Sequence, residues 1–222
     1  MRQLLKAAFV CTVFIILGAC SAGDDDAPTG TGHGVYMLID TSGTYTRELK
    51  KAQHIINVTL TKLYPGDSFA VARIDTGSFS EKDIVAKVTF DDRPSQANHQ
   101  KRLFKEEIDK FVRTVKPASY TDITGGILQA VEYLNEKNPR RKTILIFSDL
   151  KEDLEKGYIR DIEFKLRHFS VIALNVTKLN TDNINPQEYL TRVEEWQARV
   201  ESAGGTWGVI NDMDQLADKF LN

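Results

Sequence analysis

Cysteine is nearly absent from this sequence: the 222 residues contain two, Cys11 and Cys20. Cys11 lies inside an apolar N-terminal run, and once that run is removed no disulfide can form. An excess of charge of one sign is also missing. The formal net charge is -2, which leaves no basic footprint for nucleic acid. Long apolar runs are missing apart from Ala7 to Leu17, which is too short for a stable transmembrane span. The histidines His33, His54, His99 and His168 are scattered without metal-ligand spacing. Ser148 sits in no GxSxG elbow, and no Ser/His/Asp set is visible. Gly125-Gly126 is followed by no GKS or GKT pattern, so it reads as close helix packing and not as a phosphate cradle. No internal repeat is present.

The N-terminus differs in kind from the rest. Arg2 and Lys6 precede the apolar run, which ends in Leu17-Gly18-Ala19-Cys20. This is the pattern of a secretory signal. Leu-Gly-Ala-Cys resembles the bacterial lipobox, which implies cleavage before Cys20, lipidation of its sulfur and new amine, and a mature chain from Cys20 to Asn222. Ser21 stands at the next position, where Asp favours retention in the inner membrane, so an outer-membrane address is expected. Removal of residues 1–19 takes away Arg2 and Lys6 and no acid, moving the formal charge from -2 to -4. Ser21 to His33 is polar and free of aromatics, as expected of a flexible tether, with Asp24-Asp25-Asp26 as a solvated spacer. The expected organisation is a signal over 1–19, a lipidated cysteine and tether over 20–33, and one folded domain over 34–222.

The stretch that organises that domain is Gly34 to Thr44. Val35 to Ile39 is a short continuous apolar run, the signature of a strand covered on both faces, and it stops at Asp40. An amphipathic segment from Tyr45 to Leu63 supplies the following helix. The turn between them therefore lies at a strand's C-terminal end, where open α/β sheets bind ligands. It carries oxygen-bearing side chains at alternate positions: Asp40, Ser42 and Thr44. Oxygen-only groups suit a hard cation.

Further along, Tyr64-Pro65-Gly66-Asp67 is a turn signal, followed by strands over Ser68 to Ile74 and Asp83 to Phe90. The link between them is too short for a helical crossover, so these two strands are antiparallel neighbours. Helical spacing recurs from Asn98 to Val115, with Leu103, Phe104, Ile108, Phe111 and Val112 as its apolar set. Thr121-Asp122-Ile123-Thr124-Gly125-Gly126 leads into a third helix with Ile127, Leu128, Val131 and Leu134 buried, and Asn138-Pro139 ends it. Thr143 to Phe147 is a strand that also finishes on a carboxylate, Asp149. Leu150 to Arg167 reads as mostly helical, Phe169 to Val176 as a strand, Pro186 to Ser202 as a helix, Thr206 to Ile210 as a strand and Asp212 to Leu221 as a closing helix. Trp196 and Trp207 read as core. The expected fold class is α/β, a doubly wound, mostly parallel six-stranded sheet with one antiparallel edge strand and helices on both faces.

In the doubly wound order the first and fourth strands flank the switch point, so Asp40 and Asp149 face each other across a crevice that Thr121 can reach. Val35 to Thr44, Tyr120 to Leu128 and Ile144 to Asp149 resemble the von Willebrand factor type A (VWA) domain. That family has a metal-ion-dependent adhesion site with the pattern DxSxS, a distant Thr and a distant Asp. Asp40, Ser42, Thr44, Thr121 and Asp149 match it in order, with Thr44 in place of the second Ser and Leu150 where many members have Gly. The resemblance implies Mg²⁺, or Mn²⁺ or Ca²⁺, held directly by Ser42 and Thr44, directly or through water by Thr121, and largely through waters by Asp40 and Asp149. It also implies a protein partner that completes the coordination with an Asp or Glu carboxylate, and no bond-breaking chemistry.

Structural roles compete for the same residues. Ser42 and Thr44 could cap the first helix, Thr121 could cap the third, and Asp122 suits the helix dipole. An enzyme reading also exists: Leu38 to Thr44 resembles the hhDxDGT turn of haloacid-dehalogenase-like phosphatases, with Asp40 as nucleophile, but Ser42 stands where the general acid would be. A third reading is a metal-free envelope scaffold of the same fold.

Overall fold

The computed structural model describes residues 30–43, 45–158, 162–176 and 186–211. The signal and lipidation readings at residues 1–29, Cys20 among them, lie outside these residues, as do Thr44, the loop from Lys178 to Asn185 and the closing helix from Asp212 to Leu221.

β1 (His33–Asp40) is buried along its whole length, because helices cover both of its faces. It pairs in parallel with β2 (Ser68–Ile74) on one side and with β4 (Arg141–Phe147) on the other. β3 (Ile84–Thr89) runs antiparallel to β2 at one edge, with a register shift between Val71 and Ala72. β5 (Phe169–Leu174) and β6 (Thr206–Ile210) continue the parallel sheet, giving the order β3-β2-β1-β4-β5-β6 among the described residues. The antiparallel edge pair and the adjacency of β1 and β4 are those read from the sequence.

Successive β1 side chains point to opposite faces. Val35, Met37 and Ile39 join one core with Ile55 and Ile56 of α1 (Leu49–Lys62) and Phe104 and Ile108 of α2 (Pro94–Thr114). Tyr36 and Leu38 join the other with Ile127 and Leu134 of α3 (Ile123–Lys137) and Trp196 and Val200 of α4 (Pro186–Ser202). A side chain at Gly126 would place its Cβ 2.9 Å from Leu38 Cδ2, so α3 approaches β1 this closely because that residue is glycine.

Several expectations shift. Tyr45–Glu48 is a short 3-10 turn, and α1 begins only at Leu49. α2 starts earlier than read, at Pro94, whose fixed φ and missing N–H suit a first helical position. Leu103 is 48% exposed, so it does not belong to the α2 apolar face. Trp207 is only half-buried.

The largest difference is the segment after β4. Residues 150–158 and 162–167 contain no helix. Leu150 takes a left-handed backbone at φ 66°, Asp153 pairs with Thr121 as an isolated antiparallel bridge, and Gly157 turns at φ 95°. Phe164 and Leu166 are buried at an alternating spacing. The charged residues of this segment imitate a helix surface, while the backbone is spent on the bridge and the turns.

Candidate metal centre

Asp40 closes β1, opposite Ile74 of β2, at the sheet's C-terminal edge. It is 1% exposed. Its Oδ1 accepts the backbone N–H of Ser42 at 2.8 Å, and its Oδ2 accepts the Ser148 hydroxyl at 2.7 Å. The carboxylate plane is thus set from the ends of two adjacent strands. Burial pushes the Asp40 carboxyl above its ordinary pKa, and the bonds from Ser42 and Ser148 act against that shift.

The turn beyond Asp40 is tied in on both sides. The Thr41 hydroxyl donates to the Ile74 carbonyl at 2.9 Å, and the Thr41 carbonyl accepts the Ala118 N–H at 2.8 Å. Tyr45 N–H closes on the Ser42 carbonyl at 2.9 Å, while the Tyr45 hydroxyl donates to the Asn175 carbonyl at the end of β5. The residue before α1 is Glu48, which makes no side-chain cap, so Ser42 does not cap that helix.

Asp149 follows β4 and is 5% exposed. Its Oδ1 accepts the Lys151 N–H at 2.8 Å, and its carbonyl accepts Arg192 Nε at 2.8 Å. Burial is the main cause that pushes its pKa up to about 6; the neighbouring Asp40 charge adds to the rise, and Lys151 and Arg192 oppose it. Asp40 and Asp149 thus lie at the ends of the adjacent strands β1 and β4, and the charge of Asp40 disfavours that of Asp149.

Thr121 is 4% exposed, and its N–H and carbonyl are both used by Asp153, at 2.7 and 3.0 Å. Its segment is held to the β1 turn through the Ser42–Ala118 bridge and to the loop after β4 through Asp153. The cap of α3 is Asp122, one residue on: its carboxylate accepts Gly125 N–H at 2.7 Å and also Ser78 N–H at 3.1 Å. Thr121 is thereby left out of the capping role, and a side chain at Gly125 would put its Cβ 2.4 Å from Asp122 Oδ2 and 2.9 Å from the capping Oδ1.

No family model and no curated protein matches the sequence. A von Willebrand factor type A structure from Catenulispora acidiphila matches with a TM-score of 0.57 at 16% identity, over 86% of this chain and 41% of its own. The chain has the VWA fold. The pilus adhesin SpaC from Lactobacillus rhamnosus GG, in an open conformation, matches with a TM-score of 0.50 at 9% identity, over 87% of this chain and 29% of its own. Likeness at such identities speaks of the fold alone, and this chain spans about two fifths of the Catenulispora structure's length.

Within that VWA fold, Asp40, Ser42, Thr121 and Asp149 lie on three segments that the backbone bridges hold together, while Thr44 lies outside the described residues. Leu150, the departure from the family pattern, has φ 66°, a conformation glycine adopts without strain and Leu at a cost of about 1–2 kcal/mol. Its side chain is 1% exposed in the core shared with α3 and α4, which offsets that cost. The residue that sequence reasoning missed is Ser148. Dismissed as a nucleophile, it orients Asp40 and accepts the Leu150 N–H at 3.0 Å. Its position beside Asp149 at a strand end was the available signal.

Among the described residues no group of three or more His, Cys, Asp or Glu side chains is arranged to hold a metal ion. The donor set here is of another kind, two carboxylates with hydroxyls. That chemistry fits a hard divalent cation: two buried, mutually repelling carboxylates are relieved by positive charge, and every candidate donor is oxygen.

Proposed function

We propose that this chain is an envelope-anchored lipoprotein whose VWA domain binds a protein partner through a divalent cation, Mg²⁺ or the similar Mn²⁺ or Ca²⁺. Asp40, Ser42, Thr44, Thr121 and Asp149 would hold the ion. The observation that carries this reading is the buried Asp40–Asp149 pair at the end of adjacent strands, with hydroxyls and amides as the groups that act on Asp40. A bound ion supplies a positive centre with a coordination position open to an Asp or Glu carboxylate from outside. This chain's residues hold, orient and shield that centre: Ser148 fixes the Asp40 carboxylate, Lys151 N–H fixes that of Asp149, and the Thr121 segment closes the cleft.

Both Asp40 oxygens accept hydrogen bonds, and Ser42 stands where a phosphatase would carry its general acid, so no turnover is proposed. Export, lipidation at Cys20, and the outer membrane as destination are part of the same reading. Among the described residues, no helix is long and apolar enough to cross a membrane.

Titration calorimetry of the purified chain with Mg²⁺ and Mn²⁺ tests the site, with a phosphatase assay in magnesium run alongside. Binding that Asp40→Ala or Ser42→Ala abolishes, without phosphate release, is the expected outcome. Indifference to both substitutions would leave the metal-free scaffold. Pull-down from membrane extracts with and without chelator then identifies the partner, which chelator should release.

A further inference from the structure

From the contacts of α4, we infer that Arg192, Trp196 and Arg199 are positioning residues that clamp the loop after β4 and set the cation affinity of the site. This rests on the cation-binding reading above. The three residues are spaced so that they share one face of the helix. Arg192 Nε donates to the Asp149 carbonyl at 2.8 Å, and Trp196 Nε1 donates to the Leu150 carbonyl at 2.9 Å. Arg199 Nη2 donates to the Thr124 hydroxyl at 2.8 Å, while Nη1 lies 3.7 Å from Glu152 Oε2. Glu152 in turn accepts the Thr124 N–H at 2.6 Å, so the clamp reaches the start of α3, three residues beyond Thr121. The Arg199 guanidinium also stacks 4.3 Å from the Trp196 ring, which ties the members of the clamp to one another.

The loop needs such a hold. Leu150 has a backbone that an L side chain rarely adopts, and it is gripped on both sides, by Ser148 Oγ at its N–H and by Trp196 at its carbonyl. An open groove of about 460 Å³, lined by Lys151, Glu188, Thr191 and Glu195 among others, lies between α4 and the loop. Beside the groove, apolar packing of Leu150 with Trp196 seats the loop on α4, and the discrete polar bonds fix its backbone at Asp149 and Leu150. The same bonds fix where the Asp149 carboxylate stands relative to Asp40. Outer partners of this kind typically change metal affinity by about 10–100-fold.

The test uses the full chain with Trp196→Phe, which keeps a ring and removes the donor, and Arg192→Leu at the half-buried surface. Val200→Ala, buried on the same helix but touching no loop carbonyl, is the control. Expected are an Mg²⁺ dissociation constant raised at least about tenfold in the two clamp variants and faster hydrogen exchange at the Leu150 and Lys151 amides of the ion-free protein. Val200→Ala should lower Tm and change neither. Wild-type affinity and protection in both clamp variants would overturn the clamp, and so would an equal effect from Val200→Ala. Should the wild-type chain bind no cation, the proposed function fails, and exchange in the ion-free protein still decides whether α4 holds the loop.

Discussion

Asp40 serves two opposing demands. Its carboxylate is kept in place by Ser42 and Ser148, yet burial disfavours its charge, and that charge in turn raises the pKa of Asp149. Asp40→Asn preserves the shape and most hydrogen bonds while removing the repulsion. The expected outcome is a higher Tm for the ion-free protein and no further rise of Tm in Mg²⁺. The wild type, by contrast, should gain about 2.7 kcal/mol at Mg²⁺ a hundredfold above its dissociation constant. Thermal melts with and without Mg²⁺ check both halves. Asp40 and Asp149 were legible in the sequence because each follows an uninterrupted apolar run, and a carboxylate at the end of a buried strand is conspicuous. Ser148 was not, because its partner is 108 residues away and is chosen by the register of β1 against β4.

Among the elements, α3 shows most clearly how local chemistry sets up the site. Asp122 caps it, reaches the β2–β3 connection through Ser78, and is fully buried. Asp122→Ala would leave two buried N–H groups unpaired. Its expected cost is about 2–4 kcal/mol in urea unfolding, more than an exposed cap would give. Gly125→Ala should destabilise for a related reason, since the new methyl meets the capping carboxylate. The start of this helix falls within the stretch that the sequence marks for it, whereas the segment after β4 is not the helix that its sequence suggests. Its charge pattern resembles a solvated helix face. What rules a helix out is a pairing with Thr121 and a left-handed Leu150, both dictated by neighbours distant in sequence.

Over the whole molecule, buried ionisable groups lie at both ends of β1. Asp40 and Asp149 lie at the C-terminal edge, and His33 is buried beside Asp67 at the other end of β1, about 23 Å away at 3.3 Å per residue. His33 N–H donates to Asp67 Oδ1 at 2.7 Å, and its Nε2 lies 2.8 Å from the Thr143 hydroxyl. Burial is the main cause that lowers its pKa from 6.5 to about 4; Arg141 adds to the fall and Asp67 opposes it. A base with a depressed folded pKa makes the unfolded chain the better proton binder between those values. Its stabilising effect is therefore complete above pH 6.5 and lost as pH falls towards 4. Relative to His33→Gln, the wild type should lose about 3 kcal/mol across that window, measured by urea unfolding at several pH values. Asp149, with its raised pKa, acts in the opposite direction, which is why the comparison with the variant is needed.

The sequence by itself determined the six-stranded α/β pattern, the antiparallel edge pair and the carboxylates that end β1 and β4, because these depend on apolar runs, connection lengths and turn residues that are local along the chain. Only the tertiary structure decided that Ser148 orients Asp40, that Asp122 and not Thr121 caps α3, and that α4 grips the loop after β4. Each of those is a hydrogen bond whose partner is selected by packing, and packing is a property of the assembled layers rather than of any segment.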